Sequence, residues 1–259
     1  MIGVQMVIDI HCHVGSDADG GEMSFDNLRN SMNRWGIDKS VVFSFSGSND
    51  QMVRQSLDIL EKSKNCDWVI PLLRVDPKVI GKDDLVSLLD KGFKGLKLHP
   101  SGQDFIVDDE EICWIYKLCE ERGLPVLIHA AAKHNGSHPR RIVSLAEKFP
   151  SLKIIMAHFF GDDVDIMELG GKYPNLYTDI SINSRTLRIN QAVNKYGFRN
   201  LVFGSDIPYD SQGVALLKIK EAGLSKEDED LILGGNAAKI FGLDSDVVKE
   251  GERIEGDGK

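Results

Sequence analysis

The sequence predicts a single-domain (β/α)8 TIM barrel, and three observations lead to it. Eight apolar, β-like runs alternate with eight segments whose apolar residues recur at three- and four-residue spacing. The chain length of 259 residues matches the ~250 such a barrel needs. Five of the seven histidines stand at the ends of those runs, as one polar rim of a sheet requires. Strands alternating with helices imply a parallel sheet with right-handed crossovers. An open, doubly wound sheet would carry GxGxxG between its first strand and helix, and Gly20-Gly21 does not supply it.

The first strand, Val4–Ile10, ends in His11-Cys12-His13. Side chains two apart on a strand share a face, so His11 and His13 point together and can bind one metal ion while Cys12 points away. Asp9, one strand period earlier, is expected to face the same interior. The helix Phe25–Trp35 follows and stops at Gly36, a residue suited to a left-handed cap. Ser40–Phe45 with Gln51–Lys62 makes the second unit, and Val69–Val75 with Leu85–Lys91 the third, closed by Gly92. Gly95–His99 leads to Glu110–Arg122 and Gly123; Pro125–His129 leads to Arg140–Phe149. Lys153–His158 with Val164–Lys172 is the sixth unit. Asn175–Ile182 with Thr186–Tyr196 and Gly197 is the seventh, and Asn200–Ser205 with Gly213–Ala222 the eighth. An extra helical segment, Ser225–Leu243, begins on a Ser225/Asp228 capping pattern and ends at Gly242. Its Ile240 and Phe241 are placed to pack inward and close the barrel. The domain thus spans residues 1–243, and a charged tail, Asp244–Lys259, is expected to be loosely held. Trp35, Trp68 and Trp114 fall on or beside the helical layer as packing residues.

Bulk properties narrow the partners. A net charge of −9 and a pI near 5.3 disfavour a nucleic-acid backbone or an anionic membrane surface. No run approaches the ~20 apolar residues of a membrane span, and there is no basic, apolar leader. A cytoplasmic protein is expected. The four cysteines show no CxxC spacing and read as reduced thiols.

Barrel geometry gives the histidines a meaning, because sites in such folds sit at the C-terminal ends of the strands. His11 and His13 end strand 1, His99 strand 4, His129 strand 5 and His158 strand 6, while Asp206 ends strand 8. Lys97, two before His99, points to the same interior. His134 and His138 lie in the loop after strand 5 and read as solvated residues.

These positions resemble the amidohydrolase superfamily, and the local wording resembles its amidohydrolase-related (type 2) branch. The pieces are His11-Cys-His13, Gly95-Leu-Lys-Leu-His-Pro100, Phe203-Gly-Ser-Asp-Ile-Pro208 and Asn236-Ala-Ala-Lys-Ile-Phe-Gly242, running from about residue 7 to 243. The resemblance implies that His11, His13, His129 and Asp206 hold a divalent metal, usually one Zn2+. It also implies that Asp206 shuttles a proton and that His158 is a catalytic imidazole near the carbonyl. Lys97 and His99 are assigned to the substrate, Lys97 as an anion contact. A strand-4 lysine bridges two metals elsewhere in the superfamily, which leaves nuclearity open. Two reactions fit the ligand set. One is hydrolysis of a small-molecule amide, lactone or ester carbonyl. The other is non-oxidative decarboxylation of an aromatic or unsaturated acid. Short connections and an acidic strand-1 loop (Asp17, Asp19, Glu22) favour the hydrolase. Barrels of this branch often self-associate, so a homo-oligomer is compatible.

Overall fold

Eight strand positions wind once around in chain order, with helices outside. The computed structural model describes residues 6–17, 20–161, 163, 165–182 and 185–243. Val4 and Gln5 of the expected first strand, Asp19, Val164 and the tail 244–259 lie outside the described residues.

The strands are β1 (Ile8–His13), β2 (Gly15–Ser16), β3 (Glu22–Met23), β4 (Lys39–Phe43), β5 (Val69–Pro71), β6 (Leu73–Arg74), β7 (Leu96–Leu98), β8 (Val126–Ile128), β9 (Ile154–Met156), β10 (Leu176–Asp179) and β11 (Leu201–Val202). β2 and β3 form a small antiparallel hairpin above β1; every other pairing is parallel. The order is β1-β4-β5 in one piece and β6-β7-β8-β9-β10-β11 in the other. The third run of the sequence is split: β5 bonds to β4, whereas β6 bonds to β7. Leu72 between them still donates to Val42 O at 2.9 Å, and Leu73 to Gly95 O at 3.0 Å, so the wall is continuous. Closure comes at the other seam. Ile10 N–H donates to Phe203 O at 3.0 Å, His13 N–H to Ile207 O at 2.9 Å, and Asp206 N–H to His11 O at 2.8 Å.

The outer helices are α1 (Phe25–Trp35), α2 (Asn49–Ser63), α3 (Lys82–Leu89), a one-turn α4 (Pro100–Gln103), α5 (Cys113–Glu121), α6 (Pro139–Lys148), a tight turn α7 (His158–Gly161), α8 (Ile166–Gly170), α9 (Thr186–Asn190), α10 (Gln212–Lys220), α11 (Lys226–Asp230) and α12 (Asn236–Phe241). Ser24, Ser48 and Ser225 cap α1, α2 and α11 through their hydroxyls, as short polar residues do at helix starts. Gly36 takes the left-handed C-cap of α1 at φ 65°. Expected helix 7 is an α turn continued by a π-helical turn (Gln191–Lys195), and Ser225–Leu243 carries a second π turn at Leu231–Gly235.

Two apolar layers result. Inside the barrel, Ile8, Ile10, Val41, Phe43, Ile70, Leu72, Leu127, Ile155 and Val202 meet Ala237, Ala238 and Ile240 of α12. α12 thus plugs the end opposite the strand C-termini, with Phe241 packed against it. Outside, Cys12, Val14, Leu28, Leu96, Leu98, Ile128 and Met156 face the helices.

β1 departs from simple alternation. Its register against β4 runs Asp9↔Ser40 and then Cys12↔Val42, one residue more on β1 than on its partner. That bulge turns both Ile10 and His11 inward. Asp9 therefore does not share the His11 face. It points outward, where its Oδ2 accepts from Ser205 Oγ at 2.6 Å and from Gln212 Nε2 of α10 at 2.9 Å.

Candidate active site

Three side chains from opposite ends of the chain converge where β1 meets the residues after β11. His11 Nε2 and His13 Nε2 each lie 3.0 Å from one oxygen, Asp206 Oδ1. All three residues are buried. Asp206 is brought there by a left-handed backbone at φ 65°, one of the strained positions that gather at functional sites. Gly204 makes the approach possible: a Cβ at that position would lie 2.9 Å from Asp179 Cβ and 3.1 Å from His11 Cβ.

Asp179, at the end of β10, completes the cluster from beneath. Its Oδ2 is 2.7 Å from His11 Nδ1. Its Oδ1 accepts from the backbone N–H groups of His158 at 2.9 Å and Ser181 at 3.0 Å, and from Ser181 Oγ at 2.6 Å. His158 begins the left-handed turn α7 (φ 62°), which folds its ring back over the barrel mouth. Its Nδ1 is 2.8 Å from Ser181 Oγ and its Nε2 is 2.9 Å from His129 Nδ1. His129 in turn stacks on His99, ring centroids 3.9 Å apart.

Lys97 is buried with Nζ 3.1 Å from His11 Nε2 and 4.7 Å from the centroid of the Phe43 ring. Arg74, at the end of β6, is fully buried and donates through Nη1 to Ser44 O at 3.0 Å. Its Nε has no partner among the described residues. Above the site Tyr209 packs edge-on against His13 and donates its hydroxyl to Asp17 Oδ2 at 2.7 Å.

Charge and burial work against each other here. Burial alone would raise Asp206, but the His11 and His13 imidazoles outweigh it and hold its carboxyl well below the usual range. Asp179 is held low in the same way, His11 outweighing burial. Burial and Lys97 push His11 down, yet the two carboxylates win and leave it above its ordinary value. Burial takes His13 down to about 3, His158 to about 4 and Lys97 to about 7.

These donors suit a divalent cation. Two imidazole nitrogens and a carboxylate oxygen, all buried, meet around one point, and a positive charge between them is required for the contacts to be attractive. In the bare protein the His13 Nε2 proton, 3.0 Å from Asp206 Oδ1, and Lys97 Nζ, 3.1 Å from His11 Nε2, serve that need; an ion would take the imidazole lone pairs. A second group, His11, His158 and Asp179, lies equally close together but is already satisfied by internal hydrogen bonds.

The structure brings together His11, His13 and Asp206, with Lys97 beside them. It places His129 next to His158 rather than against that trio, and His99 one ring further out, half-buried. Both ring nitrogens of His158 have protein partners, so in this arrangement neither is turned to a substrate carbonyl as the sequence reading expected. Asp179 and Arg74 were not anticipated. Each is a charged residue ending an apolar strand, the same signal that singled out the histidines.

The family described as amidohydrolase matches residues 8–243. No curated protein sequence matches the chain. Among solved structures, 2,6-dihydroxybenzoate decarboxylase from Rhizobium aligns with a TM-score of 0.75 at 16% identity, covering 93% of this chain and 100% of that one. A putative 2-pyrone-4,6-dicarboxylic acid hydrolase from Pseudomonas putida aligns at 0.72 and 18% identity, covering 93% and 99%. A dihydroxybenzoic acid decarboxylase from a Polaromonas species, with bound manganese and the inhibitor 2-nitroresorcinol, aligns at 0.72 and 15%, covering 93% and 98%. At these identities the likeness bears on the (β/α)8 fold. No helix among the described residues is long and apolar enough to cross a membrane.

Proposed function

The chain belongs to the amidohydrolase family, and from that membership we propose that it is a metal-dependent hydrolase of a small-molecule amide, lactone or ester carbonyl. The observation that carries this reading is the convergence of His11 and His13 on Asp206 Oδ1 beside Lys97. His11, His13 and Asp206, joined by His129 from the end of β8 across the barrel, would hold the ion, Zn2+ being the first choice for this donor set. When bound, such an ion supplies Lewis acidity, polarising a substrate oxygen and making water nucleophilic at neutral pH.

The chain's own groups do the rest. Asp206, kept ionised by its imidazole neighbours, takes the proton of the attacking water and passes it to the leaving group. His158 serves the reaction by holding His129, not by touching the carbonyl. Lys97 and Arg74 place positive charge under the mouth and favour a substrate with a carboxylate near the scissile bond; His99 lines the way in. The Asp17–Tyr209 contact puts an acidic group across that opening, which limits how much negative charge a substrate can carry.

The same two cations also support a second reading, decarboxylation of an acid held against Lys97 and Arg74. A panel of lactones, amides, esters and aromatic acids separates the two. The expected outcome is ester-type cleavage that depends on added Zn2+ or Mn2+. CO2 release without such cleavage would overturn the hydrolase. Asp206→Asn should reduce turnover at least about 10²-fold, the contribution of general acid–base catalysis, with an unchanged circular dichroism spectrum.

A further inference from the structure

We propose that Asp179 is a positioning residue that fixes which ring nitrogen carries the proton in three site histidines, His11, His158 and His129. The argument needs only the hydrogen-bond inventory of each group. A carboxylate accepts and never donates, so the 2.7 Å contact between Asp179 Oδ2 and His11 Nδ1 carries the imidazole proton on Nδ1. The other oxygen starts a second branch. Asp179 Oδ1 receives the hydroxyl proton of Ser181 at 2.6 Å. Serine has one such proton, so at 2.8 Å from His158 Nδ1 its oxygen must accept, and His158 is protonated on Nδ1. The Nε2 of a neutral His158 then offers only a lone pair. Its 2.9 Å partner, His129 Nδ1, is the donor. His129 is left with its lone pair on Nε2.

One buried carboxylate therefore decides three tautomers. In each ring the nitrogen further from Asp179 along the chain of bonds is the one left with a lone pair, as the bond at one ring nitrogen dictates the state of the other. Asp179 is fully buried, and the backbone N–H groups of His158 and Ser181 fix its Oδ1. Carboxylates behind metal-bound imidazoles act in this way on ligand basicity. The consequence for an ion at His129 rests on the ligand assignment proposed above; the tautomers themselves do not.

Nitrogen-15 imidazole NMR of the full-length chain reads each tautomer directly. In the unaltered protein His129 and His158 should show the Nδ1–H pattern without metal and with Zn2+, and His11 should show it with Zn2+ bound. Ser181→Ala should move His158 and His129 to the Nε2–H pattern and leave His11 unchanged. Ser181→Thr, which keeps the hydroxyl, should restore both. Asp179→Ala should release His11 as well. A Nε2–H pattern at His158 in the unaltered protein, or no change at His158 and His129 in Ser181→Ala, would overturn the proposal. A chelator-competition titration with Zn2+ adds a separate reading: Ser181→Ala should weaken binding about 10- to 100-fold. Shifted tautomers with unchanged affinity would uphold the role of Asp179 and remove His129 from the metal ligands.

Discussion

Gly204 shows how little slack the site has at the level of one atom. A methyl group there would meet Asp179 and His11 at 2.9 and 3.1 Å, and neither can retreat without losing the bond between them. Gly204→Ala should cost about 1–3 kcal/mol in urea unfolding, the usual range for overpacking, and weaken metal binding in the same variant. The buried imidazoles make a second prediction at this scale. His158 is held down to about 4 and His13 to about 3, from ordinary values of 6.5, so the unfolded chain binds protons before the folded one does. Stability of the metal-free protein should therefore fall as pH drops from about 6.5 towards 4, and fall further as Asp179 and Asp206, both held low, lose their advantage. The raised His11 acts above pH 6.5 instead, where its stabilisation is lost as the pH rises, and melting temperatures from about pH 4 to 8 read both limbs. Histidines were legible in the sequence because few side chains bind metals and their placement at strand ends is not random. Asp179 and Arg74 escaped notice because a single charged residue at a strand end is also what any turn looks like. Their role depends on which neighbours the closed barrel brings within 3 Å.

At the level of elements the pattern of apolar residues placed all eight units, with α1 matching from Phe25 to Trp35. The departures have local causes. The bulge in β1 breaks the two-residue alternation, which no count of apolar positions reveals, and it sends Asp9 outward to Gln212. The π turns at Gln191–Lys195 and Leu231–Gly235 keep a helical pattern of apolar residues and so look like continuous helix in sequence. The connection from α6 to β9 depends on one side chain. Asn175 Nδ2 lies 3.0 Å from each of three carbonyl oxygens, those of Ala146, Phe149 and Leu152. Asn175→Ala should leave these buried acceptors short of a donor and cost about 3 kcal/mol, measured by urea denaturation, with no direct effect on the site.

The whole barrel is held shut, at the rim that carries His11, His13 and Asp206, by few backbone bonds among the described residues. β1 meets the residues after β11 through Ile10–Phe203, His13–Ile207 and Asp206–His11, and the proposed ligands sit on either side of that seam. An ion bound by His11, His13 and Asp206 would clamp the seam. At a hundredfold excess over its Kd it should add about 3 kcal/mol. For a domain of this size that is a rise of about 5–10 °C in Tm, reversed by chelator and absent in His13→Ala. His13 and Asp206 also stand 193 residues apart in the chain. While the polypeptide is being synthesised, the first strand therefore leaves the ribosome carrying two histidines and no carboxylate to complete the set. The proposed cation site cannot form until almost the entire barrel has emerged, so truncated products should be unable to capture the ion, and metal loading would then be a late checkpoint on a finished fold.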